Sequence, residues 1–127
     1  MKIELTPMLT VNDADSAVEF YKKVFGAREI SRTTTPSGQQ IVQMSIEEIR
    51  FFAAEENPSA YNLSPATLRG TTVRMNLVVD DPDAVMRRAI EAGGKEIFPI
   101  NDQPYGMRQG RIADPAGHHW LIGRYLG

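Results

Sequence analysis

The chain has 127 residues, 42% of them hydrophobic and 24% charged, with a formal net charge of −2, the profile of one soluble globular domain rather than a disordered or strongly basic chain. It contains no cysteine, which excludes thiol nucleophiles, thiolate metal sites and a disulfide framework and fits a cytoplasmic setting. The opening Met1-Lys2-Ile3-Glu4-Leu5-Thr6-Pro7 lacks a signal-peptide core, no run approaches ~18 apolar residues, and Arg87-Arg88 is an isolated basic pair, so neither a membrane nor a nucleic-acid partner is expected.

In chain order, Leu9 and Val11 alternate as on a half-buried strand, and Asp13 then supplies a helix N-cap, with Ser16-Ala17-Val18-Glu19 as a second capping signal one turn later. Ala17, Val18, Tyr21, Val24 and Phe25 form a helical stripe that Gly26 ends. Short strands are expected around 29–33, 40–46 and 49–54, the last two joined by a turn at Glu47-Glu48. Segment 57–69 is rich in breakers and polar residues and reads as a linker. The pattern then repeats: a strand with Val73, Met75, Leu77 and Val79, an Asp81-Pro82 helix start, a stripe of Val85, Met86, Ala89 and Ile90, and a Gly93-Gly94 stop. Strands around 96–100, 110–113 and 119–124 follow, with the Asp114-Pro115-Ala116-Gly117 turn before the last. At one constant offset Leu9, Val11, Asp13, Asp15 and Gly26 recur as Leu77, Val79, Asp81, Asp83 and Gly94, so the fold class is α+β, with module 1–56 and module 70–127 each in the order βαβββ.

Two motifs carry a family resemblance. Val11-Asn12-Asp13 leads into Ala17-Val18-Glu19-Phe20-Tyr21-Lys22-Lys23-Val24-Phe25-Gly26-Ala27, and Tyr105-Gly106-Met107-Arg108-Gln109-Gly110-Arg111 leads through Asp114-Pro115-Ala116-Gly117 to His118-His119-Trp120. With the duplication, the chain resembles the vicinal oxygen chelate superfamily of glyoxalase I, bleomycin- and fosfomycin-resistance proteins and extradiol dioxygenases, and within it the PhnB-like subgroup. The resemblance implies that the modules form an open cup with the site inside, supported by homodimerisation. It also implies that metal-dependent relatives place ligands at positions matching Thr6, about Phe52, Arg74 and Leu121. Two of these are apolar, threonine alone is a poor ligand and a guanidinium has no lone pair to give, so no catalytic metal and no cofactor are expected there.

Strand alternation puts Leu9, Val11, Met75, Leu77, Trp120 and Ile122 under the helices and leaves Thr6, Met8, Thr10, Phe52, Thr72, Arg74, Asn76, His119 and Leu121 on the cup face. Arg74 and Asn76 interrupt an apolar strand on that face, and Arg74 reads either as a structural ion pair or as a clamp for an anionic ligand. Tyr105, Arg108 and Arg111 sit in a glycine-flanked segment expected at the rim, with Arg108 either touching ligand or pairing with Asp114. His118 and His119 point to opposite faces and cannot close on one ion; His119 lines the cup, binds a carbonyl, acts as the acid–base residue, or joins Glu47 or Glu55 at a metal. No Gly-x-Ser-x-Gly, phosphate loop or dinucleotide motif is present.

The functional expectation is a metal-free dimeric protein that holds a small anionic or aromatic molecule against Thr6, Met8, Phe52, Arg74, Asn76, Tyr105, Arg108 and Leu121, with His119 as the candidate catalytic group. The alternatives are a metal-dependent lyase, isomerase or dioxygenase of the same superfamily and a non-catalytic structural dimer.

Overall fold

A computed structural model describes all residues, Met1–Gly127. The first module runs β1 (Met8–Val11), α1 (Ala14–Phe25), β2 (Arg28–Thr34), β3 (Gln40–Ile46) and β4 (Ile49–Glu55); the second runs β5 (Arg74–Val78), α3 (Pro82–Glu91), β6 (Lys95–Asp102), β7 (Met107–Ala113) and β8 (His119–Tyr125). Each builds a four-stranded sheet, in the orders β1-β4-β3-β2 and β5-β8-β7-β6. In both, the first strand pairs in parallel with the last and the other pairs are antiparallel. The duplicated βαβββ frame is thus as the repeat predicts.

The helices start and stop where short polar residues and glycine dictate. Asp13 is extended and its carboxylate accepts from Asp15 N at 3.1 Å and Ser16 Oγ at 3.0 Å. Ser16 therefore lies inside α1, and the second capping signal is not used. Gly26 closes α1 at φ 67°, a left-handed conformation that a side chain with a Cβ resists. Asp81 caps α3 through Ala84 N at 3.1 Å, with Pro82 in the first turn.

The segment expected to be a bare linker is partly helical. Pro58–Ala60 is a 3-10 turn and α2 (Pro65–Leu68) is one helical turn. Ser64 caps α2, Pro65 presets its first φ, and the Glu56 carboxylate accepts from Ser64 N at 3.0 Å, from Ser64 Oγ, and from Thr67 Oγ1 at 2.6 Å.

One apolar core serves both modules. Leu9, Val11, Tyr21, Val24, Val42, Met44, Phe51, Val85, Met86, Ile112, Trp120 and Ile122 belong to a single buried cluster. At its centre the Trp120 ring lies 4.4 Å from Phe25, 5.6 Å from Tyr21 and 6.1 Å from Phe51, centroid to centroid. The helix-bearing sides of the two sheets are therefore turned toward each other, and the opposite sides, bearing Met8 and Arg74, are left open. Met75 and Leu77 pack against the core while Arg74, Asn76 and Val78 are exposed. No helix is long and apolar enough to cross a membrane.

Candidate functional site

Strand register assembles the open face of the second sheet in rows. Arg74, His119, Ala113 and Lys95 are successive partners in the first, and Asn76, Leu121, Arg111 and Phe98 in the second. Gly123, Gln109 and Asn101 make the third. None of these side chains is a carboxylate. On the first sheet the corresponding rows are Met8, Phe52, Gln43 and Ser31, then Thr10, Ala54, Ile41 and Thr33. They too hold no acid.

Two adjoining hollows open on the second sheet. A cavity of about 330 Å³ is lined by Arg74, Phe98, Tyr105, Gln109, Arg111 and Leu121 among others, within the size range of small-molecule sites. Arg111 lies over the Phe98 ring, its guanidinium carbon 5.4 Å from the centroid, and Tyr105 Oη donates to Gln109 Oε1 at 2.6 Å. Beside it is a wholly polar basin bounded by Arg69, Thr71, Thr72, Arg74, Arg111 and His119. Neither Arg74 nor Arg111 has an acidic partner within the chain, and the Arg111 Nε is buried with no hydrogen bond. A buried guanidinium proton without an acceptor is costly unless something outside the chain satisfies it.

His119 stands between these cations, its Nδ1 accepting from Arg111 Nη1 at 3.5 Å and its backbone opposite Arg74. Burial, then the positive charge of Arg111, holds the imidazole below its ordinary pKa. It is neutral near pH 7, with its lone pair on Nδ1 turned to Arg111 and its proton on Nε2. His118 faces the other way and donates from Nε2 to Thr10 O at 2.7 Å, so the carbonyl contact considered for His119 is made by its neighbour instead. Glu55 accepts from Ala14 N and Gln40 N in the first module, so it does not join His119 at a metal.

Arg108 does not line the cup. Its side chain lies on the helix-bearing side of β7, where Nε and Nη2 donate to the two oxygens of Asp83, each at 2.9 Å, and Nη1 donates to Asp102 at 3.0 Å. This bidentate pair lowers the Asp83 pKa, and it replaces the expected pairing with Asp114. Asp114 is buried and accepts from Tyr21 Oη at 2.6 Å, Trp120 Nε1 at 3.0 Å and the amides of Ala116 and His118 at 3.0 Å. Thr6 and Phe52 lie on the first module and are not brought to Arg74 or Leu121 within one chain, because the helix-bearing sides face inward. Sequence reasoning places Arg111 only at the rim and does not single out Phe98 or Gln109. Alternation along β7 was the available signal for Gln109 and Arg111.

The superfamily's catalytic metal does not fit this donor set. The matching positions, Thr6, Phe52, Arg74 and Leu121, provide one hydroxyl and one fixed cation, and no group of three or more His, Asp or Glu side chains is placed to hold an ion.

Comparison with known proteins accords with this architecture. Residues 5–122 match the family model of the Glyoxalase/Bleomycin resistance protein/Dioxygenase superfamily. An uncharacterized protein of Mycobacterium bovis is 38% identical over 124 residues, covering 94% of this chain and 82% of that one. The structure of TioX from Micromonospora superposes with a TM-score of 0.73 at 26% identity, over 98% of this chain and 100% of that one. A glyoxalase family protein from Bacillus cereus superposes at 0.77 and 16% identity over 99% and 98% of the two chains, a likeness of fold alone. From its duplicated modules, their sheet order and the family match over nearly its whole length, this chain belongs to the glyoxalase/bleomycin resistance protein/dioxygenase superfamily.

Proposed function

We propose that this protein is a metal-free, cytoplasmic member of the superfamily, of its PhnB-like subgroup, that binds a small anionic, aromatic molecule on the open face of the second module. The observation that carries the reading is the pair Arg74 and Arg111, facing the same hollow with no carboxylate in any row of the face. The buried, unbonded Nε of Arg111 and the exposed Arg74 beside it have no internal counter-charge and favour an external anion. Phe98, Tyr105 and Leu121 supply the apolar wall for a ring, and Asn101 and Gln109 the neutral polar contacts, while Asn76 stands one strand away beside Leu121 and outside the cavity lining. Support for the subgroup is the run from Tyr105 to Trp120.

The working form is a homodimer. Met8, Val73, Val78 and Phe98 are exposed apolar residues on or beside the open faces, and an uncovered strand edge and apolar patch favour self-association. A second copy would bring Thr6, Met8 and Phe52 to the face that carries Arg74 and Leu121.

Benzoate titrated calorimetrically into the wild-type protein and Arg74→Ala tests the reading. Loss of the clamp is expected to weaken binding by about 2 kcal/mol while leaving thermal unfolding nearly unchanged. Equal affinity in the two proteins would overturn it. A catalytic reading is favoured by one further feature, the neutral His119 in the wall of the basin, whose Nδ1 accepts from Arg111 and whose Nε2 carries a proton it can donate to a bound ligand. Turnover abolished by His119→Gln with ligand affinity retained would support that role, and unchanged turnover would exclude it.

A further inference from the structure

The segment between the modules does more than connect them. After α2 the chain turns at Arg69, a non-glycine residue at φ 60°, held there by Gly70 N donating to Pro65 O at 3.1 Å. Arg69 is the C-cap of α2, in the left-handed conformation common where helices end. The turn is fixed from both sides. Glu56 holds Ser64 and Thr67, and Ala66 N donates to Ala116 O at 2.9 Å. A Cβ at Gly117 would come within 2.9 Å of Ala66 N, so this turn of the second module fits against α2 with no room for a side chain.

The result is that Arg69, Thr71 and Thr72 form one wall of the basin whose other wall is Arg74, Arg111 and His119. Three guanidiniums line it, with no carboxylate and no apolar side chain. A carboxylate ligand would balance one of three positive charges. A phosphoryl group offers up to two negative charges and three oxygens, which three separate guanidiniums can share. The Thr71 hydroxyl donates to Val73 O at 3.1 Å, which leaves Thr72 as the free neutral donor of the wall. The adjoining cavity with Phe98, Tyr105 and Leu121 shares Arg74 and Arg111 with the basin, so the two hollows meet at these side chains.

We propose that the basin between the inter-module turn and the second sheet is a phosphoryl-group site, in which Arg69 joins Arg74 and Arg111 around the phosphate ester or phosphonate head of a ligand whose apolar body lies over Phe98. This deepens the anion-binding reading and rests on it. The new content is the second charge and the part played by Arg69.

Calorimetry with phenyl phosphate, phenylphosphonate, benzoate and inorganic phosphate separates the two levels. Phenyl phosphate and phenylphosphonate are expected to bind at least tenfold more tightly than benzoate, and inorganic phosphate to compete with them more weakly. If only one of the two phosphoryl probes gains over benzoate, that probe identifies the source of the head group and the site stands. Arg69→Asn, which keeps a residue tolerant of positive φ, is expected to reduce phenyl phosphate affinity at least tenfold and benzoate affinity less than twofold. Arg69→Gly, free of strain at that φ, must give the same pattern, which separates lost charge from a disturbed turn. If phenyl phosphate and benzoate bind equally, or both Arg69 variants match the wild type, the phosphoryl site is overturned while an Arg74-dependent benzoate site stands. If no probe binds, both readings fall.

Discussion

Asp114 draws together more of the polar interior than any other side chain. Its four donors come from α1, from β8 and from its own turn, and burial with the nearby Asp114 charge holds the Tyr21 hydroxyl pKa well above its ordinary value. Tyr21→Phe keeps the ring and deletes one donor to a buried carboxylate, and is expected to lower unfolding free energy by about 1–3 kcal/mol in urea titration. His119 gives a pH-dependent term of opposite chemistry. Burial first, then the Arg111 charge, holds its folded pKa below 6.5, with Asp114 opposing the shift and His118 adding to it, while Arg74 lies opposite it on the neighbouring strand. As pH falls through 6.5 the unfolded chain takes up the proton first, so stability declines between that value and the lower folded pKa and is unaffected above it. Wild type is therefore expected to lose more unfolding free energy than His119→Gln between pH 7.5 and pH 5, and equal losses would contradict the assignment. Arg108 shows what a residue-scale reading of sequence lacks. Asp114 is its near neighbour along the chain, yet a carboxylate in the first turn of α3 holds it, and only the packing of α3 on β7 makes that pair.

Among the elements, those built on local signals were legible from the residues alone. Asp13, Gly26 and Asp81-Pro82 act within a few residues, so both long helices fall where capping chemistry puts them. Period-two alternation likewise set the facing of β1, β5, β7 and β8. It failed on β6, where register shifts lie between Glu96 and Phe98 and between Phe98 and Asn101. Phe98 pairs with Arg111 and Asn101 with Gln109, an odd spacing on one face that strict alternation forbids. Phe98 escapes a sequence reading for that reason, whereas Tyr105 does not. The inter-module segment was hidden for another: Pro, Ser and Asn mark a break, but the helical turn at Pro65–Leu68 depends on the Glu56 carboxylate reaching across to Ser64 and Thr67. Those hydrogen bonds also lower the Glu56 pKa. Glu56→Ala is expected to speed amide exchange across residues 64–70 and to weaken phenyl phosphate binding while leaving protection of β3 and β7 unchanged. Asp13→Ala, by comparison, is expected to cost about 1 kcal/mol of global stability through the lost cap of α1 and to leave binding alone.

For the whole molecule, the duplicated frame and the inward turn of the helix-bearing sides decide what remains exposed. Met1, Ile3 and Leu5 alternate with polar residues along an exposed N-terminal segment, Met8 and Val78 lie on the edge strands β1 and β5, and Val73 immediately precedes β5. Sedimentation at micromolar concentration is expected to show a dimer whose melting temperature rises with protein concentration, since association stabilises the folded state by mass action. A strict monomer would oppose the homodimer reading.

The two modules are fastened by more than their covalent connection. Trp120 sits among the aromatics of the first module, Tyr21 reaches Asp114, His118 reaches Thr10 O, and Arg88 donates twice to Val24 O at 3.0–3.1 Å. The exposed Tyr61, in contrast, lies between two short helical turns with its side chain in solvent. A protease cut there would sever the backbone and leave the interior intact. Separately expressed halves ending and beginning at that point are expected to recombine into a folded particle, so the duplicated gene architecture would survive as two complementing fragments.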